Sequence, residues 1–242
     1  MIWAVRAVVC LPTYNELENL EPMVRALGDL ELDGLEVLVV DDASPDGTGE
    51  LADRLVEELP WVHVLHRARK EGLGPAYLAG FGRALELGAD LVLEMDCDFS
   101  HDPADVPRLV AAAESADLAI GSRYVSGGGV GDWGFLRRLI SRGGSLYAQI
   151  LLQLRVRDLT GGFKCYRRKV LETIDLDAIS SLGYAFQIET TYRTLRAGFT
   201  VVEVPITFSD RRVGKSKMSH AIFLEGMWKV PLLRLRALAG RL

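Results

Sequence analysis

"LEVLVVDDASPDGTGELADRL" (residues 35–55) decides how the chain folds. Residues 35–40 are apolar apart from Glu36 and rich in valine, the composition of a strand buried on both faces. An acidic turn containing proline and glycine follows, and from near Asp46 the apolar positions Leu51 and Leu55 take up helical spacing. A strand, a turn and a helix within about twenty residues make half of a βαβ crossover, the repeating unit of a parallel sheet.

The plan recurs on both sides of this stretch. "RAVVCLPTYNE" (6–16) is an apolar run stopped by Pro12, after which Leu17, Leu20, Val24 and Leu27 mark a helix over 16–30. "VHVLHR" (62–67), "ADLVLEMD" (89–96) and "DLAIGS" (117–122) read as further strands, with helices over Gly74–Leu87 and from Pro103. The expected fold class is therefore α/β: a Rossmann-like, mostly parallel central sheet with helices on both faces. Beyond "SGGGVGDWG" (126–134) a helix from Phe135 carries Leu136, Leu139, Ile140, Tyr147, Ile150, Leu151 and Leu154 as one stripe, read as core. "DLTGGFKCYRR" (158–168) reads as a turn and short strand, 185–197 as a helix and "FTVVEVPITF" (199–208) as a strand. A C-terminal amphipathic helix over 220–242 puts Phe223, Met227, Trp228, Leu232 and Leu235 near one side, with a kink expected at Pro231. Docking on its own domain and shallow burial at a membrane surface both fit that helix. The organisation expected is a catalytic domain over 1–219 followed by the basic helix.

With 242 residues, 49% of them hydrophobic, the chain can bury a full core. Cys10, Cys97 and Cys165 are too few and too scattered for a disulfide scaffold, which fits reduced thiols in a cytoplasm. No apolar run approaches the roughly 20 residues of a spanning helix. A net charge of −5 hides an asymmetry: residues 211–242 hold eight Lys or Arg against Glu225 alone. That end suits phosphate or an anionic bilayer, or is simply solvated. A nucleic-acid binder is disfavoured, because the positive charge sits at one end without interleaved aromatic platforms. Neither a dinucleotide fingerprint after the first strand nor a P-loop is present.

In open α/β sheets ligands gather at the carboxyl ends of the strands. Glu16, Asp41, Asp42, Asp96 and Asp98 all fall there. In "EMDCDFSHDP" (94–103) the carboxylates of Asp96 and Asp98 alternate, so a hard divalent ion, Mg²⁺ or Mn²⁺, carrying waters and substrate phosphates suits them. Arg123 follows another strand, and "RRVGKSK" (211–217) sets Arg211, Arg212, Lys215 and Lys217 around Gly214, as a loop that closes on phosphate oxygens would. His101 reads as a loop histidine, and Phe163, Phe186 and Trp133 as packing.

"LPTYNELENL", "VLVVDDASPDGTG", "EGLGPAY", "MDCDFSHDP", "GSRYVSGG", "DLTGGFKCYRR", "GYAFQIE" and "EVPITFSDRRVGKSKMS", in this order over about 8–219, resemble the polyprenol (dolichol) phosphate mannosyltransferases of glycosyltransferase family 2, which have the GT-A fold. The resemblance implies mannose transfer with inversion from GDP-mannose to a polyprenyl phosphate. It implies that Pro12, Tyr14, Glu16, Val40, Asp42 and Lys70 hold the donor, together with Asp96, Cys97 through its backbone, and Asp98. It implies that Asp96, Asp98 and Ser100 organise the metal, that Arg123, Arg211 and Lys217 neutralise phosphates, and that Arg137 and Ser141, with Arg123, hold the acceptor phosphate. Relatives often have Ala at the place of Cys97, some have Gln at that of Ser100, and some carry C-terminal membrane spans that are not predicted here. A peripheral position on the cytoplasmic membrane face is expected instead, with a protein partner as another means of presenting the lipid. Alternatives are a UDP-glucose-dependent polyprenyl phosphate glucosyltransferase, another family 2 transferase, and a non-enzymatic membrane-surface adaptor that retains the fold.

Overall fold

The structure is a computed structural model describing residues 5–131, 134–211, 220–240 and 242, with the side chains of 135–137 and 220–223 outside that description. Its first half follows the crossover pattern read from 35–55. Strands β1 (Ala7–Thr13), β2 (Leu35–Asp41), β3 (Val62–His66) and β4 (Leu91–Glu94) alternate with helices α1 (Leu17–Gly28), α2 (Thr48–Glu58) and α3 (Leu73–Glu86). A single 3₁₀ turn at Pro103–Asp105 then leads into α4 (Val106–Ala112) and β5 (Leu118–Ser122). The second half comprises β6 (Gly129–Val130), α5 (Phe135–Leu152), β7 (Lys164–Arg167), α6 (Arg168–Thr173), α7 (Tyr184–Arg196), β8 (Val201–Pro205), β9 (Thr207–Phe208) and α8 (His220–Leu238).

The seven-stranded sheet has the order β3-β2-β1-β4-β7-β5-β8, and β6 pairs with β9 separately. Successive residues of a strand face opposite sides, and β1 shows the result: Val8 and Cys10 join one core cluster, Ala7, Val9 and Leu11 the other. Every one of these side chains is essentially out of water, so both faces of the sheet are covered.

One strand departs from the parallel pattern. β7 lies antiparallel between β4 and β5, with Lys164 opposite both Glu94 and Ile120. Because it runs backwards, the segment preceding it, 158–163, emerges at the carboxyl ends of β4 and β5. That reversal carries Asp158, Thr160 and Phe163 to the edge where Asp96 and Arg123 lie.

Two apolar faces differ from expectation. On α5 the stripe read as core is split: Leu139, Ile140 and Ile150 are exposed, whereas Tyr147, Leu151 and Leu154 pack against the core beside the buried Ala148 and Leu152. On α8 the buried side is Val230, Leu233 and Ala237, while Met227, Trp228 and Leu235 face out. The helix runs unbroken through Pro231. It is docked by polar contacts as well: Glu225 accepts from the amides of Leu182 (2.8 Å) and Gly183 (3.2 Å), Lys229 donates to Ser180 Oγ (2.8 Å), and Tyr147 OH on α5 donates to Met227 O (2.7 Å). The polar positions of α8 thus anchor it inward, which hydrophobic periodicity alone does not reveal.

Candidate active site

The turn after β4 forms the centre of the site. Asp98 is buried; its Oδ1 accepts from the Ser100 amide (3.0 Å) and its Oδ2 pairs with Arg211 Nε at 2.9 Å. Asp96 is half-buried and its Oδ1 accepts from Tyr77 OH (3.3 Å). Burial, and then the negative charge of Asp98, push the Asp96 carboxyl up to about 7. Phe99 bends the turn with a left-handed φ of 60°, a conformation that costs a β-carbon-bearing residue of order 1 kcal/mol or more. Cys97 and Ser100 are buried within the turn, and the Ser100 carbonyl accepts from the Ser209 amide (3.0 Å), tying the turn to the segment that carries Arg211. His101 is also buried, and its Nδ1 accepts from the Asp96 amide (3.3 Å). Burial holds this imidazole down to about 4, so it is neutral near pH 7.

The ends of β1 and β2 form the second part. Their parallel register sets Pro12 beside Val40 and Thr13 beside Asp41. The Val40 side chain is fully buried in the core, against Gly80 of α3. Asp41 closes the turn locally, accepting from Ser44 Oγ (2.6 Å) and the Ser44 amide (3.1 Å). Glu16 accepts from Asn19 Nδ2 (2.8 Å). Asp42 is ion-paired with Arg67, whose Nη2 also reaches Glu71 at 2.7 Å. Burial nevertheless holds the Asp42 carboxyl above its usual range. Lys70 Nζ lies 3.8 Å from the centroid of the Tyr14 ring, a cation–π contact. An open depression of about 300 Å³ adjoins Asp41, Ser44, Gly49, His66 and Arg67.

The third part surrounds Arg123. Its guanidinium is buried and gripped by Asp158 through Nε–Oδ2 (2.7 Å) and Nη2–Oδ1 (2.6 Å), and Nη2 also donates to Thr160 Oγ1 (2.8 Å). The expected phosphate-binding charge is therefore already matched by a carboxylate that the sequence reading did not single out. Arg123 also lies against Tyr124, whose OH donates to Ser141 Oγ on α5 (2.7 Å). Arg123 and Ser141 are thereby brought to one side of the site. The side chain of Arg137 lies outside the described residues, as do Arg212, Lys215 and Lys217 and hence the expected closing loop.

Acidic turns at the carboxyl ends of β1, β2 and β4 are thus joined by cations from separate segments, Arg67 and Arg211. The sequence model of "Glycosyl transferase family 2" matches residues 8–175. The chain belongs to glycosyltransferase family 2. Among curated relatives of this family 2 chain, the undecaprenyl-phosphate mannosyltransferase of Micrococcus luteus is 51% identical over 226 residues, 93% of each chain. The polyprenol monophosphomannose synthase of Mycolicibacterium smegmatis is 50% identical over 227 residues, 93% of this chain and 85% of that one. Among solved structures, glucosyl-3-phosphoglycerate synthase from Mycobacterium tuberculosis, in complex with Mn²⁺, uridine diphosphate and glucosyl-3-phosphoglycerate, superposes with a TM-score of 0.68 at 19% identity over 97% of this chain and 80% of its own. That likeness bears out the GT-A fold.

The family 2 turn at 96–98 suits a divalent ion. Two neighbouring carboxylates, one pushed up to about 7 by burial and by the other, form a locus that a positive charge relieves. Among the described residues no group of three or more His, Cys, Asp or Glu forms a ready metal cage. Mg²⁺-type sites, which use one or two carboxylates and complete the shell with substrate phosphates and water, do not require one. Three neighbours of the expected site residues escaped the sequence reading, Tyr77, Arg67 and Asp158, and His101, read there as a loop histidine, is buried against the acidic turn. Tyr77, Arg67 and Asp158 each act through a partner distant in sequence, which no local motif announces.

Proposed function

We propose that this chain transfers mannose from GDP-mannose to a polyprenyl phosphate, with inversion, forming a β-linked polyprenyl phosphate mannose. The observation that carries the reading is the 51% identity, over 93% of both chains, to a protein named for mannosyl transfer to undecaprenyl phosphate. Asp96, Asp98 and the Ser100 hydroxyl would hold Mg²⁺ or Mn²⁺, with Cys97 contributing backbone. When bound, the ion neutralises charge that develops on the departing diphosphate. Arg211, 2.9 Å from Asp98, stands where it can share its guanidinium with those oxygens, and Lys217 is assigned the same duty from the closing loop. Pro12, Tyr14, Glu16, Asp42 and Lys70 line the donor side, joined by Arg67 through its pair with Asp42.

A phosphate monoester has its second pKa near 6, so at neutral pH the acceptor is already an anionic nucleophile and needs no general base. Its requirement is cations that bring two anions together. Arg137, with Ser141, meets it in this reading, while Arg123, its charge matched by Asp158 and its Nη2 held by Thr160, adds orientation on the acceptor side rather than net charge.

The acceptor lipid places the protein at a membrane surface, and the outer face of α8 supports that position. Leu224 (64% exposed), Trp228 (69%), Leu235 (63%) and Leu238 (69%) follow one another at i, i+4, i+11 and i+14, a single apolar stripe. Glu225, the one acid of the helix, is turned inward onto Leu182 and Gly183. No helix among the described residues is long and apolar enough to cross a membrane. The reading is thus of peripheral attachment by 220–242, on the cytoplasmic face, with the three buried free thiols in keeping.

Labelled GDP-mannose and UDP-glucose offered separately with a polyprenyl phosphate, with and without a chelator, test the assignment. The expected result is chelator-sensitive mannose entering the organic phase, with Asp98→Asn folded and inactive. Glucose transfer alone would replace the donor, mannose on a sugar hydroxyl would replace the acceptor, and turnover unaffected by chelator and by Asp98→Asn would remove the metal.

A further inference from the structure

His101 has a place in this site that its loop position conceals. It sits five residues beyond Asp96 and folds back so that its Nδ1 accepts the amide of Asp96 at 3.3 Å. A nitrogen that accepts is unprotonated, so the ring proton of the neutral imidazole resides on Nε2. The ring is 1% exposed and clamped by aromatic side chains from two other segments. Phe163, from the loop entering β7, stacks at 4.9 Å between centroids with an interplanar angle of 22°. Phe208, at the end of β9, meets it edge-on at 5.2 Å and 79°.

Those two segments carry the rest of the machinery. The 158–163 loop holds Asp158, which grips Arg123, and the residues after Phe208 lead to Arg211, which reaches Asp98. The His101 ring therefore touches the acidic turn, the support of Arg123 and the strand that delivers Arg211. A phenylalanine would pack comparably but could not accept from the Asp96 amide. The residue type is explained by that acceptor.

We propose that His101 is a positioning residue for the acidic turn: its Nδ1 fixes the Asp96 amide, and its ring sets the spacing between that turn, the Arg123 support and the Arg211 segment. The part of this inference that concerns cation binding rests on the reading of Asp96 and Asp98 as metal-holding groups; the part that concerns the turn itself does not.

The test compares His101→Phe, which retains the stacking, with His101→Asn, whose Oδ1 occupies the same branch point from Cγ as Nδ1 and restores the acceptor. In metal-free protein, hydrogen exchange at the Asp96 amide should accelerate about 5–10-fold in His101→Phe, as loss of one net hydrogen bond implies, and return to within about twofold of wild type in His101→Asn. In calorimetry with Mn²⁺ and GDP, His101→Phe should bind at least tenfold more weakly and His101→Asn within about threefold of wild type. Equal exchange at Asp96 in wild type and His101→Phe, or equal loss in both variants tracking their thermal midpoints, would overturn the proposal. Wild-type protein that binds GDP identically with and without Mn²⁺ would overturn the metal reading, while the exchange arm would still decide the positioning role.

Discussion

Replacing Asp158 by Asn removes a charge from beneath Arg123 while keeping the shape of the side chain. Both partners are buried, Arg123 at 7% exposure and Asp158 at 0%, and Asp158 accepts three N–H groups of Arg123: the backbone amide (2.9 Å), Nε (2.7 Å) and Nη2 (2.6 Å). Breaking a buried ion pair from one side costs about 3–5 kcal/mol, because the remaining charge is left in a low dielectric without compensation. For a chain of this size each kcal/mol corresponds to about 2–4 °C, so the thermal midpoint should fall by about 6–20 °C. A double replacement, Arg123→Met with Asp158→Leu, removes the unpaired charge and should recover most of that loss. Urea unfolding followed by both circular dichroism and tryptophan fluorescence gives the free energies, provided the two probes coincide. The Arg123 guanidinium holds the Asp158 carboxyl below its usual range, against the opposing effect of burial. The stabilisation is thus fully present above about pH 4–5 and fades as acid protonates the group, and the gap between Asp158→Asn and wild type should narrow there. A loss under about 1 kcal/mol at pH 7, or a double variant no better than the single one, would refute the view that this pair is a closed electrostatic unit.

Other expectations follow from particular contacts. Hydrogen bonding to Lys169, then to the Thr200 amide, depresses the Asp117 carboxyl to about 2. Its stabilising effect should be complete above about pH 5 and fade progressively toward pH 1, so Asp117→Asn should cost about 1–2 kcal/mol at pH 7 and only a few tenths of a kcal/mol at pH 2 in urea titrations. Gly74 and Gly82 lie on the same helix but in opposite circumstances. A Cβ at Gly74 would fall 2.4 Å from the Ser181 carbonyl oxygen, so Gly74→Ala should lower the thermal midpoint by several degrees, whereas Gly82, with nothing within 4 Å, should accept Ala with a gain of about 0.5–1 kcal/mol. Replacing Trp228 and Leu235 together by Ser should leave the thermal midpoint within about 2 °C and reduce sedimentation with anionic phospholipid vesicles at least tenfold, since each buried apolar side chain contributes about 1.5–3 kcal/mol; undiminished vesicle binding would remove α8 from the membrane assignment.

Much of the fold and part of the site could be read from the chain alone. Valine-rich runs, the first continuing through Pro12 to Thr13 and the second ending at Asp41, announce strands, and Leu17, Leu20, Val24 and Leu27 announce a helix, because side-chain period and turn chemistry are local properties. The rule that strand ends gather ligands then brings Asp42, Asp96 and Arg123 to one edge before any coordinate is known. What the tertiary structure decided is direction and partnership. No local signal says that Lys164–Arg167 runs antiparallel between β4 and β5, yet that reversal delivers Asp158 to Arg123 across 35 residues of chain and Phe163 to His101. Nor does periodicity say which apolar side of α8 is inward, since the choice falls to Glu225, Lys229 and Tyr147 finding partners across its contacts with neighbouring segments. Sequence pattern reports what a segment can bury; only packing settles against what, because charge pairing and burial depend on groups the chain brings together from far apart.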